Sequence, residues 1–155
     1  MDNLKRNALK YITGDLLSNR SEYTLHSCNC KGVWGSGVAK IIAEKFPKSY
    51  EEYKSQCSSK SPSELLGSIF MTSENIICLF TSDGYGSFVD NPDSIIGYTF
   101  KGFQNIASKF SGRNVSIAMP KINSGLFKTP WKDTSRAVNR ILLKNPNIKV
   151  YVYEI

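Results

Sequence analysis

A single histidine, four cysteines and the lack of any apolar run near the ~18 residues of a membrane span define what this sequence does without. A structural zinc needs four well-placed ligands, and His26, Cys28 and Cys30 have no second histidine to complete such a set. No metal and no cofactor are therefore expected. The four cysteines, Cys28, Cys30, Cys57 and Cys78, do not fall into paired clusters, so they read as small reduced core residues rather than disulfides. The start, Met1-Asp2-Asn3-Leu4-Lys5-Arg6, lacks the apolar stretch of a secretion signal. A cytoplasmic or nuclear location is expected, with no membrane association. Internal repeats and low-complexity tracts are also missing.

What is present suits one domain over residues 1–155, with 41% hydrophobic residues and 16 Tyr and Phe to fill a core (8 of each). The net charge of +7 leaves nucleic acid, an acidic surface or a small anion open as partners. Position helps here. Lys132, Arg136, Arg140 and Lys144 recur every fourth residue, opposite Val138, Ile141 and Leu142, as a helix with a solvated face does. No aromatic residues interleave with them for base stacking, so no specific nucleic-acid binding is expected, and the chain reads as a monomer.

Short β-rich runs occur at Leu9–Ile12, Tyr23–Cys28, Ser68–Met71, Ile76–Thr81, Val115–Met119 and Lys149–Tyr153. Helical periodicity marks Val38–Phe46, Tyr50–Cys57, Ile95–Phe110 and Trp131–Leu143. Asp93 or Ser94 suits the cap of the third helix, Pro130 the first turn of the fourth, and Pro47 the break between the first two. Polar Ser55–Ser63 reads as a surface loop. Alternating strands and helices predict an α/β fold with a largely parallel or mixed sheet, and ligand sites at the carboxyl ends of its strands.

Two glycine-bearing loops carry the chemistry. Gly32-Val-Trp34-Gly35-Ser36-Gly37-Val38-Ala39 follows a strand and opens a helix, where backbone N–H groups and the helix partial charge favour an anion, although three glycines also suit a plain tight turn. Pro120-Lys-Ile122-Asn123-Ser124-Gly125-Leu126-Phe127 follows another strand, so a diphosphate gripped from two sides is a natural ligand. Gly14-Asp15-Leu16 adds a carboxylate that either accepts from an exocyclic amine such as adenine N6 or caps a turn. Asn29 offers both donor and acceptor to a sugar hydroxyl, or else shapes a turn. His26 is the natural acid/base group near neutrality, or else a hydrogen-bonded core residue. Asp83 and Asp90 can orient water, or else lie in solvent.

Together, Tyr11-Ile-Thr-Gly14-Asp15-Leu16, Leu25-His26-Ser27-Cys28-Asn29-Cys30, Trp34–Ala39, Met119–Phe127 and Pro130-Trp131 closely resemble the macro domain family, nearest its ADP-ribose 1''-phosphate phosphatase branch. The resemblance implies a three-layer α/β/α sandwich around a mixed, largely parallel sheet. It also implies that Asp15, flanked by Gly14 and Leu16, holds adenine, and that Trp34, Gly35, Ser36, Gly37, Val38 and Ala39 cradle the diphosphate. Ile122, Asn123, Ser124, Gly125, Leu126, Phe127 and Lys128 would wrap phosphates and distal ribose, with Ser27, Cys28, Asn29 and Thr81 completing the binding set. His26 and Asn29 are the candidate catalytic residues. The implied activity is hydrolysis of ADP-ribose 1''-phosphate, with two alternatives: a non-catalytic module for ADP-ribose or ADP-ribosylated proteins, and a de-ADP-ribosylating hydrolase. A neighbouring branch that frees protein carboxylates uses a Lys and an Asp where this chain has Ser82 and Phe127, so that Lys-dependent mechanism is not expected.

Overall fold

The computed structural model describes residues 6–154. β1 (Leu9–Thr13), β2 (Tyr23–Asn29), β3 (Ile69–Met71), β4 (Ile76–Ser82), β5 (Val115–Met119) and β6 (Ile148–Glu154) form one sheet in the order β1-β6-β5-β2-β4-β3. Only β3, at the edge, runs antiparallel to its neighbour. α1 (Gly37–Lys45) and α2 (Pro47–Ser59) pack on one face, α4 (Pro92–Lys109) and α5 (Trp131–Leu142) on the other, and the four-residue α3 (Pro62–Leu65) leads into β3. The expected three-layer sandwich is the observed one.

The alternation of side chains along β4 shows why both faces are covered. Ile76, Cys78 and Phe80 face Ile42, Tyr53 and Leu65, whereas Ile77 and Leu79 face Phe103, Ile106 and Val138. Every residue of β4 is buried, which is why it reads as a continuous apolar run. α4 presents Ile95, Thr99, Gly102, Phe103 and Ile106 at helical spacing.

Three expectations need correction. The polar stretch Ser55–Ser63 is not a loop: α2 continues to Ser59, and Pro62 starts α3 after Ser61, whose N–H donates to Glu64 Oε1 at 3.0 Å. The helix expected at Tyr50–Cys57 is the middle of α2, but no residue of α2 beyond Tyr53 is fully buried, so its last turn carries no apolar pattern. The cap of α4 is Asn91, accepting from Ser94 N at 2.9 Å, with Pro92 in the first turn. Pro130 stands just before α5 rather than within it.

α4 approaches the sheet at Gly102, where an added Cβ would lie 1.9 Å from Leu79 Cδ1. Gly102→Ala should therefore cost about 1–3 kcal/mol by overpacking. A urea unfolding midpoint equal to that of the parent would show that Leu79 can move aside.

Candidate functional site

β5 and β2 pair only at Tyr23↔Ile117 and Thr24↔Ala118. β5 then ends at Met119, and Pro120 has no N–H with which to extend the ladder. β2 runs on alone on that side as far as Asn29, so a crevice opens at the carboxyl ends of the strands, at the point where the connections leave in opposite directions. The resulting cleft holds about 540 Å³, the size of a small-molecule site. Segments His26–Asn29, Val33–Ala39, Tyr85–Gly86 and Pro120–Phe127 line it.

The first wall is built around Asn29. Its Oδ1 accepts from Lys31 N at 2.9 Å and its Nδ2 donates to Val33 O at 2.8 Å, which closes the turn after β2. The Tyr53 hydroxyl lies 2.6 Å from Asn29 O and 2.9 Å from its Oδ1. Burial pushes the Tyr53 phenol well above its ordinary pKa, so it stays a donor. Trp34 is buried under the loop, stacked on Tyr53 at 4.6 Å and on Tyr50 at 5.2 Å. The chain then turns through Gly37, with φ of +62°, into α1. The N–H groups of the first helical turn have no intrahelical acceptor, and the residues that carry them, Gly37, Val38 and Ala39, line the cleft. Ser36, at the cap position, makes no side-chain capping bond. This wall offers backbone donors to an anion.

The second wall depends on Asn123, buried and held at φ +66°. Thr81 Oγ1 donates to its Oδ1 at 2.8 Å, and its Nδ2 donates to Thr99 Oγ1 at 2.9 Å and reaches Thr134 Oγ1 at 3.4 Å. Its own N–H donates to Ser27 Oγ at 3.2 Å, and its carbonyl accepts from Thr129 N at 2.8 Å. One amide side chain thus ties β4, α4 and α5 to the loop. The third wall, Tyr85 and Gly86, belongs to a loop closed by Asp83 N donating to Asp90 Oδ2 at 3.1 Å and Asp90 N donating to Ser82 Oγ at 3.0 Å. At Gly84 an added Cβ would lie 2.4 Å from Phe88 O.

His26 sits within β2, 2% exposed, with its ring edge against Trp34 at 4.7 Å and its Nε2 3.5 Å from Cys28 Sγ. It is the only imidazole in the cleft. Burial pushes the Cys28 thiol well above its usual pKa, which makes it a poor nucleophile.

The fold brings together His26, Ser27, Cys28, Asn29, Trp34, Gly35, Ser36, Gly37, Val38, Ala39, Ile122, Asn123, Ser124, Gly125, Leu126 and Phe127. Gly14, Asp15, Leu16, Thr81 and Lys128 do not line this cleft. Thr81 is buried beneath it as the Asn123 partner, and Lys128 is exposed beyond it. Asp15 is exposed at the end of β1, where Oδ1 accepts from Leu17 N and Oδ2 from Ser18 Oγ, both at 3.0 Å. Asp83 and Asp90 are half-buried and do not line the cleft: Asp90 closes its loop, and Asp83 pairs with Lys31 at 3.0 Å. Ser82 is buried, and Phe127 lines the cleft. Val33, Tyr85, Gly86, Pro120 and Lys121 line the cleft without having been singled out. Tyr85 and Gly86 reach it from a strand whose neighbour is known only once the sheet is assembled.

Asn123→Ala should lower stability by about 2–4 kcal/mol, because three buried threonine hydroxyls lose their partner and alanine takes a left-handed conformation poorly. Thermal unfolding checks this, and an unchanged melting temperature would mean that the hub holds nothing.

A family model described as the Macro domain matches residues 25–77. The ADP-ribose 1''-phosphate phosphatase of Meyerozyma guilliermondii is 35% identical, covering 95% of this chain and 98% of its own length. The enzyme of the same name from Candida albicans is 36% identical, covering 93% of this chain and 99% of its own. Among solved structures, Thermosipho africanus DarTG in complex with ADP-ribose matches the fold with a TM-score of 0.76 at 23% identity, over 97% of this chain and 42% of that one.

Proposed function

The chain belongs to the macro domain family, and we propose that it hydrolyses ADP-ribose 1''-phosphate to ADP-ribose and inorganic phosphate in the cleft between β2 and β5. The observation that carries this reading is the cleft itself: two glycine-bearing loops face each other across it, and the one histidine of the chain lines its floor. In relatives bearing the phosphatase name, the likeness runs the length of the chain rather than through the matched segment alone.

The division of labour follows from the geometry. The α1 N-terminus takes the diphosphate, since its unpaired N–H groups and partial positive charge need no side-chain cation. The Asn123 loop closes on the phosphates from the other side, already shaped by its buried hydrogen bonds. Ser27 and Phe127 flank the distal ribose, while Asn29 holds the turn after β2 through its own amide. Water attacks the 1''-phosphorus as the bond from phosphorus to the ribose oxygen breaks, His26 passes its proton to the departing oxygen, and the proton lost by the attacking water goes to solvent, from which His26 is reprotonated. Asp15, outside the cleft wall but exposed at the end of β1, accepts from the adenine amine.

A binding module for ADP-ribose, free or carried on proteins, is the second reading. It is favoured by the burial of His26, whose ring lies between Trp34 and Cys28.

Asp15→Ala should weaken ADP-ribose binding by about 1.5–3 kcal/mol, the range of a lost charge-assisted bond. Calorimetry on folded protein measures it, and equal affinities would remove Asp15 from the site. With ADP-ribose 1''-phosphate as substrate, His26→Ala should lower kcat by ~10²–10⁴-fold while ADP-ribose affinity changes far less. If His26 is only a core residue, the variant melts earlier and its folded fraction turns over at the parental rate. Parent protein that binds ADP-ribose and releases no phosphate would leave the binding module as the function.

A further inference from the structure

Parallel pairing of β2 with β4 places His26 opposite Cys78, and alternation along β2 puts Cys28 on the same face as His26. The candidate ligand atoms of His26, Cys28 and Cys78 consequently lie within 4.8 Å of one another, all three residues buried, with Nε2 of His26 3.5 Å from Cys28 Sγ. In a tetrahedral centre with metal–sulfur bonds of ~2.3 Å and metal–nitrogen bonds of ~2.0–2.1 Å, neighbouring ligand atoms stand roughly 3.5–3.8 Å apart. The pair His26 and Cys28, at 3.5 Å, meets that spacing, and the other pairs, within 4.8 Å, need a closure of at most about 1.3 Å. We infer that His26, Cys28 and Cys78 form a site for a single thiophilic cation of the Zn²⁺ or Cd²⁺ class, with its fourth coordination position open to the cleft.

Two sulfurs and one imidazole select soft or borderline ions over Mg²⁺ or Ca²⁺. Three protein ligands with one open position is the arrangement of a zinc that meets an exchangeable ligand, not of a closed structural zinc. The route in is the cleft, because His26 and Cys28 line it whereas Cys78 lies behind them. Cys30, nearest in the sequence pattern, takes no part: it follows the end of β2, and its N–H donates to Asp83 O at 3.0 Å. On binding, each thiol gives its proton to solvent as a metal–sulfur bond forms, and the imidazole gives the metal its lone pair. An ion so placed occupies the one imidazole available for proton transfer, so it inhibits the phosphatase. That consequence, unlike the site, rests on the function proposed above.

The test is a titration of the intact protein with Cd²⁺, reading the ultraviolet sulfur-to-cadmium charge-transfer band, with phosphate release followed on the same samples. We expect a band saturating at one ion per chain, reversed by EDTA, lost in Cys78→Ala and retained in Cys57→Ala. Activity should fall in step with the band in the parent and not in Cys78→Ala. Cys78→Ser serves if the alanine variant fails to fold, with thermal unfolding as the check on both. No band in the parent, a band undiminished in folded Cys78→Ala or Cys78→Ser, or a band lost in Cys57→Ala would overturn the site. The band needs no turnover, so a protein that shows it and releases no phosphate keeps the site and loses the proposed enzymatic function.

Discussion

The parting of β2 from β5 is the constraint on which the site depends. Two residue pairs join these strands at one end, and beyond them β5 stops at a proline that cannot extend the ladder. On either side of the gap, β1, β6 and β5 and, opposite, β2 and β4 are held in register by long parallel pairings, and both faces are sealed by helices, so the gap cannot close by collapse. Backbone groups at the strand ends must then be satisfied from elsewhere. The loops that meet this need are the ones that form the walls.

Each wall is held from beneath by a polar side chain rather than by apolar packing alone. Asn29 closes the first turn, Asn123 anchors the second loop, and Asp90 with Ser82 closes the third. Buried amides and carboxylates suit this task, because they fix backbone groups in one geometry and are costly to leave unpaired. On the first loop, the surface toward the cleft is thereby left largely to Gly35, Ser36, Gly37 and the N–H groups that open α1. Such a surface accepts an anion without having to reorganise.

The two kinds of candidate group lie on different parts of the fold. The glycine-bearing backbone stands at the mouth of the crevice, whereas His26 lies on a core strand at its floor, against Trp34. A titratable ring in that position meets whatever β4 presents across the ladder. Here that is Cys78, which with Cys28 brings two thiols to within 4.8 Å of the imidazole.

Much was legible in the sequence, because it rests on local periodicity and short-range turn chemistry. Six strands alternating with helical segments implied the layers, and the two glycine loops after strands are walls of the cleft, as strand ends in an α/β sheet lead one to expect. Polar Ser55–Ser63 misled because a helix that buries few of its residues carries almost no pattern. The turn that Asn29 closes is local and was legible, but its bond to the Tyr53 hydroxyl, 24 residues away, and the pairing of Thr81 with Asn123, 42 residues apart, were decided only by tertiary structure. The convergence of His26 and Cys28 with Cys78 likewise depends on strand register, which no single segment encodes. Residue types and spacings set which chemistry was available, and the pairing of distant strands set which of those groups meet.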